Sequence, residues 1–206
     1  PRILLCLSAQ GEENNQSSPL NELQILRLKQ MAKFTSSLQN INWFKNIGKK
    51  LSNEEKSISL DYISAVGFPH SSIAIINSSE EASIIAENPD WNSEWWEAEE
   101  QLRASLLTKS LEIIDEEELN HALNHATAQS AEPALNAIKN NIISSHLSTD
   151  IDYQAFINAA TGMAVASTYQ AALVLASGED ENHPFTFKFR LIELGRLPIG
   201  IVGNTF

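Results

Sequence analysis

Cysteine is nearly absent from this sequence. Cys6 is the single cysteine among 206 residues, so neither an intramolecular disulfide nor a cysteine metal cluster can form within the chain. A chain without disulfides suits a reducing compartment, and we expect a cytoplasmic protein. The leucines on either side, Leu5 and Leu7, predict that Cys6 is a small buried hydrophobe rather than a reactive thiol.

Basic side chains are also scarce. Lysine and arginine total 14 against 26 acidic residues, for a formal net charge of −12. Because nucleic acids and anionic lipids attract proteins through Lys and Arg, this charge argues against both as partners. The acidic side chains concentrate in residues 57–187, which hold 20 of them against three bases. This acidic region is either simply solvated or docks a basic partner protein.

Local catalytic motifs are missing as well. The sequence has no G-x-S-x-G nucleophile elbow and no G-x-G-x-x-G nucleotide fingerprint. Gly195 and Gly200 have the spacing of a phosphate loop, but Ile201 and Val202 follow where Lys and Ser or Thr are required. We therefore expect no cofactor, and a non-enzymatic role is favoured over an enzymatic one.

One stretch, residues 153–178, contains no charged residue over 26 positions and is long enough to span a bilayer. Its polar residues are spread around the helix, and its bulk is alanine rather than leucine or isoleucine. These features favour a helix buried inside the protein, so we expect no membrane contact. Ala155, Ala159, Gly162 and Ala166 form a row of small residues that predicts close packing against neighbouring helices.

The apolar fraction of 43% is sufficient for a core, and apolar residues recur mostly at helical spacing. We predict a mainly α fold, a single-domain bundle (residues 1–206) of about six to eight helices around the segment 153–177. Residues 1–19 are predicted to be a loosely ordered arm, and short β segments are expected near the two termini. The predicted helical segments are 20–38, a weaker 43–51, 52–65, 79–88, 91–114, 116–129, 133–145 and 153–177.

The segment 185–194 carries two conflicting patterns. Its phenylalanines alternate with polar residues, as in a strand, but Pro184 and Gly195 punctuate it as a helix. We favour the helix, because Ile192 and Leu194 break the alternation.

Glu118, His121 and His125 are the best candidates for a metal site. Two imidazoles one helical turn apart can share a metal ion. However, a helical projection places both histidines on the face opposite Leu119, which indicates a solvated surface rather than a metal centre in the core.

Trp91, Trp95 and Trp96 form the densest aromatic cluster. Such a cluster is a candidate interface, although packing into the core is the simpler interpretation. We expect Trp96 to be the partly exposed member, because it lies off the main apolar stripe. Arg196 is a further surface candidate, since the glycines and the proline around it impose a defined turn.

Two functions remain open from the sequence. The first is a non-catalytic interaction or regulatory domain that binds another protein through its acidic surface or its tryptophans. The alternative is a helical enzyme or small-molecule-binding protein whose site is assembled from residues distant in the sequence. Homo-oligomerisation is open under either hypothesis.

Overall fold

A computed structural model describes residues 22–86, 92–144 and 153–206. Over these ranges the chain forms seven helices and essentially no strand, which confirms the predicted mainly α fold. The predicted N-terminal arm and Cys6 lie outside the described residues. The helices are α1 (Glu22–Leu38), α2 (Asn53–Ala65), α3 (Ser79–Ala86), α4 (Ser93–Leu111), α5 (Glu116–Ser144), α6 (Tyr153–Ser177) and α7 (Pro184–Glu193).

Helix starts follow the capping signals in the sequence. At α2, the Ser52 hydroxyl accepts from the Glu55 amide at 3.1 Å, and the Glu55 carboxylate accepts from the Ser52 amide at 2.6 Å. At α7, His183 is the N-cap and Pro184 follows in the first turn, so the conflicting segment is helical as predicted. These caps satisfy backbone N–H groups that have no partner inside the helix.

Helix α5 departs from the prediction of two helices that are separated before Pro133. It runs unbroken from Glu116 to Ser144 with Pro133 inside it. Proline removes one helical hydrogen bond. Ala134, Ile138 and Ile142 of the second half are nevertheless buried in the core. Tertiary packing therefore outweighs the local preference for a break.

The weaker helical prediction over residues 43–51 is wrong. Residues 43–48 form turns, and the backbone takes positive φ angles at Phe44 (63°) and Gly48 (70°). A residue with positive φ cannot continue a right-handed helix. The turns place Trp43 and Phe44 in the core.

Helix α6 contacts α1, α4, α5 and α7. Its C-terminal half is buried nearly all round, with Ala171, Ala172, Leu173 and Ala176 fully enclosed, as predicted for a central helix. Its N-terminal half differs, because one face of it is exposed. That face carries the small residues expected to pack closely, so this prediction is wrong: Ala155, Ala159, Gly162 and Ala166 are all exposed.

Residues Gln154–Ser177 of α6 are long and apolar enough to cross a membrane, judged by length and composition alone. Half of the most apolar window is buried inside the protein. Core helices of soluble proteins share this composition, so the observation is weak evidence for a membrane span.

The C-terminal residues return to the segment that follows α2. The Ser72 amide donates to the Asn204 carbonyl at 3.0 Å, and the Phe206 amide donates back to the Ser72 carbonyl at 2.8 Å. The Ala74 amide then donates to the Phe206 carbonyl at 2.8 Å. These contacts amount to isolated bridges rather than a strand, so the short β segment expected near the C-terminus does not form within the described residues, and the paired chain ends close one side of a cavity.

Candidate functional site

A cavity of about 430 Å3 lies where the turns after α1, the extended residues 72–76, helix α3 and the C-terminal residues 195–206 meet. Its walls are mainly apolar. Four aromatic residues line it: Trp43, Phe44, Phe156 and Phe206. Aliphatic residues complete the walls, among them Ile47, Leu51, Ile73, Ile75, Ile85 and Ile199. A cavity of this size and lining is typical of a small-molecule site.

The aromatic wall combines a residue with unusual backbone geometry, Phe44, and a residue from a distant helix, Phe156. Phe44 and Phe156, from a turn and from α6, have ring centroids 4.9 Å apart. Trp43 packs beside Phe44 at 6.2 Å. The positive φ of Phe44 is rare for a bulky residue. This backbone conformation accompanies the burial of two consecutive aromatic rings, those of Trp43 and Phe44.

Arg196 is a polar member of the cavity lining, and its guanidinium is held by the protein itself. Its Nε and Nη2 donate to the two carboxylate oxygens of Glu55, at 2.8 and 3.3 Å. Its Nη1 donates to the Asn46 carbonyl at 2.7 Å, and Nη2 also donates to the Lys50 carbonyl at 3.1 Å. The charge of Arg196 is therefore neutralised inside the protein.

The hydrogen bond from Arg196 keeps the pKa of Glu55 below its ordinary value, against the opposing effect of burial. Gly195 makes this arrangement feasible. Its φ of 81° ends α7, and a Cβ at this position would lie 3.0 Å from the carbonyl oxygen of Asn42. A glycine is required there because any other residue would be strained and crowded.

A second buried polar cluster lies beside the cavity. The Tyr62 hydroxyl donates to Glu99 Oε1 at 2.6 Å and accepts from the Trp95 indole N–H at 2.8 Å. Lys188 Nζ donates to both oxygens of Glu99, at 2.7 and 2.9 Å, and lies 5.7 Å from the Trp95 ring centroid. This cluster ties α2, α4 and α7 together.

Burial is the main cause that raises the pKa of Tyr62 well above its ordinary value, and the neighbouring Glu99 charge adds to it. Tyr62 therefore stays protonated and keeps its bond to Glu99. Its ring also packs on Phe206, with centroids 5.0 Å apart. The polar cluster thus supports the C-terminal wall of the cavity.

The two described members of the predicted tryptophan cluster differ in exposure. Trp95 is buried, whereas Trp96 is 67% exposed, as the apolar stripe predicted. The two rings pack edge to face at 6.0 Å. Trp91 lies outside the described residues.

Arg196 does not project from the surface, contrary to the expectation for the turn around it. The turn directs the guanidinium inward, onto Glu55 and two backbone carbonyls. Ser52 and Glu55 have the spacing of a capping box, which accounts for the position of Glu55, but a partner 141 positions away leaves no local pattern in the sequence.

The candidate metal residues do not converge on one point. His121 and His125 are exposed, with parallel rings whose centroids are 6.4 Å apart. Glu118 is partly buried on the same helix. No group of three His, Cys, Asp or Glu side chains that could hold a metal occurs within the described ranges. The helical projection that placed the histidines on the solvent face is confirmed.

Apart from Arg196 and the turn around it, the residues that line the cavity were not predicted as a site. Residues 43–47 were part of a predicted helix, and residues 73–76 and 199–202 are short apolar runs, which are typical of any core. The local signal at Ile73–Ile76 is a short run rich in β-branched residues, which fits either a strand or a buried turn. No family model, curated protein or solved structure matches the chain.

Proposed function

We propose that this protein is a non-catalytic binding domain that holds a neutral, mainly apolar ligand in the cavity beside Trp43 and Phe206. The observation that carries the proposal is the cavity itself. Its volume of about 430 Å3 lies within the range of about 300–1,000 Å3 that small-molecule sites occupy.

The electrostatics of the cavity support a neutral ligand. Arg196 is the ionisable side chain in the lining that the structure describes, and Glu55 already neutralises it. An anionic ligand would have to displace that carboxylate. A cationic ligand would meet no unpaired carboxylate in this lining. Burial of apolar ligand surface supplies the binding free energy instead.

The proposal keeps the predicted non-catalytic role and draws the ligand site from the alternative hypothesis. The lining combines residues from positions 43 to 206, so the site is assembled from distant parts of the chain. Asn46, Ser59, Ser78 and Thr205 offer a few polar groups that can orient a ligand. The described lining contains no His, Lys, Asp or Glu that could activate these hydroxyls, which favours binding over chemistry.

A second candidate function is protein binding through the surface around Trp96. The observation in its favour is the 67% exposure of that indole, on a helix within the acidic region. Exposed tryptophans are frequent anchors of protein interfaces.

The test of the ligand site uses N-phenyl-1-naphthylamine, a neutral apolar fluorophore. We expect saturable binding by the wild-type protein. Ala82 lines the cavity from α3, so Ala82→Phe fills the site and weakens binding by about tenfold or more. Ala104→Phe is the matched control, because Ala104 is exposed on α4 and its substitution leaves the affinity unchanged.

Circular dichroism shows whether each variant keeps its helical content. Absence of saturable binding to the wild-type protein contradicts the proposal. Equal binding by the wild-type protein and a folded Ala82→Phe variant contradicts it as well.

A further inference from the structure

Among the residues that the structure describes, one edge of the extended segment 72–75 has no hydrogen-bonding partner. Ser72 and Ala74 direct their backbone groups to the C-terminal residues 204–206. In an extended chain, successive residues point their N–H and C=O groups to opposite edges. The groups of Ile73 and the N–H of Ile75 therefore lie on the other edge, and they bond to nothing within the described parts of the chain.

The residues of the unpaired edge are part of the cavity lining. Ile73 and Ile75 both line it, and both are only partly exposed. Their backbone groups repeat every second residue, at about 6.6 Å along an extended chain. This is the repeat at which an added strand presents its own donors and acceptors.

Gly200, another residue of the cavity lining, carries further unpaired backbone groups. Gly200 lines the cavity and is buried, with a φ of 138°. Neither its N–H nor its C=O has a partner among the residues that the structure describes. Buried backbone groups are almost always paired in folded proteins. Residues of the cavity lining therefore carry unpaired backbone donors and acceptors among the apolar side chains.

These observations distinguish between ligand classes. A hydrocarbon would bury the unpaired groups of Ile73, Ile75 and Gly200 without replacing their hydrogen bonds to water, which is unfavourable. An extended peptide supplies an N–H and a C=O at the required repeat and sends alternate side chains into the apolar space. The neutralised Arg196 indicates that those side chains are uncharged.

We propose that the cavity binds an extended, uncharged apolar peptide segment, which adds as a strand to the free edge at Ile73 and Ile75. The inference rests on the proposed function, because it names the ligand class of the same cavity. Backbone hydrogen bonds along the edge fix the peptide register, and the aromatic wall at Trp43 and Phe44 accepts its side chains.

The probe is the blocked peptide acetyl-Lys-Val-Ile-Val-Ile-Lys-amide, whose terminal lysines keep it soluble. Two derivatives carry N-methyl groups on alternate amides of the Val-Ile-Val-Ile core. One derivative is methylated at the two valine nitrogens, and the other is methylated at the two isoleucine nitrogens. Only one set of amides faces the protein edge in a strand. We expect one derivative to lose about tenfold or more in affinity and the other to bind like the parent peptide.

Two protein variants test the edge directly. Ile75→Pro removes the unpaired N–H, and proline is tolerated at unpaired edge positions. Ile75→Ala keeps the N–H and shortens the side chain by a similar extent. We expect Ile75→Pro to weaken peptide binding about tenfold more than Ile75→Ala, while N-phenyl-1-naphthylamine binds both proteins. If Ile75→Pro does not fold, the N-methyl series on the wild-type protein decides the question.

Competition separates the two proposals. Displacement of N-phenyl-1-naphthylamine by the parent peptide, with one sensitive N-methyl set, supports both. Saturable fluorophore binding without peptide binding, or with equal effects of the two N-methyl sets, overturns the peptide inference and leaves the ligand site standing. A wild-type protein that binds neither probe overturns both.

Discussion

Arg196 and Glu55, 141 positions apart, form a two-point ion pair in which Nε and Nη2 of the arginine donate to separate carboxylate oxygens. Glu55 uses the same carboxylate to cap α2 through the Ser52 amide. The pair therefore fixes the start of α2 against the turn that follows α7. That turn is one wall of the cavity. The Arg196–Glu55 ion pair therefore supports both the cap of α2 and the proposed ligand site.

We predict that Arg196→Met destabilises the protein by about 3–5 kcal/mol, because it leaves a buried carboxylate and two backbone carbonyls without their donor. Urea unfolding followed by circular dichroism measures the loss. Arg190→Met is the matched control, since Arg190 and Glu54 are exposed and 3.9 Å apart. That exposed pair is worth less than about 1 kcal/mol. Equal losses in the two variants would contradict the role of Arg196.

The Tyr62 cluster gives a second prediction. Tyr62→Phe leaves the Trp95 N–H without an acceptor and removes one donor to Glu99, so we expect a loss of about 1–3 kcal/mol. Lys188→Met leaves the Glu99 charge uncompensated and costs about 3–5 kcal/mol. Denaturant unfolding of both variants and of the double variant measures how strongly the two residues are coupled. Strictly additive losses would show that they do not act through a shared Glu99.

The raised pKa of Tyr62 has a spectroscopic consequence. Ultraviolet titration of the folded protein detects phenolate formation. We expect Tyr62 to ionise only when the protein unfolds in alkali, because burial opposes the charged form. Comparison with Tyr62→Phe isolates its signal, and a phenolate from Tyr62 in the native state would contradict the burial of its hydroxyl.

We predict that His183 makes the stability of the protein sensitive to pH. Its Nδ1 accepts from the Phe185 amide at 3.2 Å, which requires the unprotonated ring. Burial is the main cause that lowers the pKa of His183, and nearby Lys109 adds to it while Glu179 and Asp180 oppose it. The unfolded state then binds a proton before the folded state does. The contribution of His183 to stability is therefore full above the ordinary pKa of 6.5 and is lost as pH falls through the lowered value.

The variant His183→Asn keeps a cap without a titrating ring. Unfolding free energies from about pH 7.5 to about pH 5 measure the difference. We expect a steeper loss of stability on acidification for the wild-type protein than for His183→Asn. Parallel profiles would rule out His183 as the source of this pH dependence.

We expect alanine substitutions of the two adjacent tryptophans to have very different effects on stability. Trp95→Ala removes a buried indole and is expected to cost about 3–5 kcal/mol. Trp96→Ala removes an indole that is 67% exposed, so unfolding stability changes by about 0.5 kcal/mol or less. Thermal and urea unfolding measure both. A large loss in Trp96→Ala would show that this residue is structural, and the interface hypothesis for it would lose its basis.

Helix positions were predictable where the signal is local. The capping box at Ser52 and the helix stop at Gly178 each depend on residues within one or two turns. The continuity of α5 through Pro133 was not predictable, because the energy that offsets the proline comes from buried residues such as Ile138. The exposed small-residue face of α6 was missed for the same reason, since burial depends on which neighbours are present.

The sequence by itself determined the helical class, the capped helix starts, the exposed Trp96 and the outward face of His121 and His125. These features follow from spacing along one helix, which the order of the residues specifies. Only the tertiary structure decided that Arg196 turns inward to Glu55 and that Ile73 and Gly200 line a common cavity. Those contacts join residues more than 100 positions apart, and no local preference records them, because they exist only once the helices have packed.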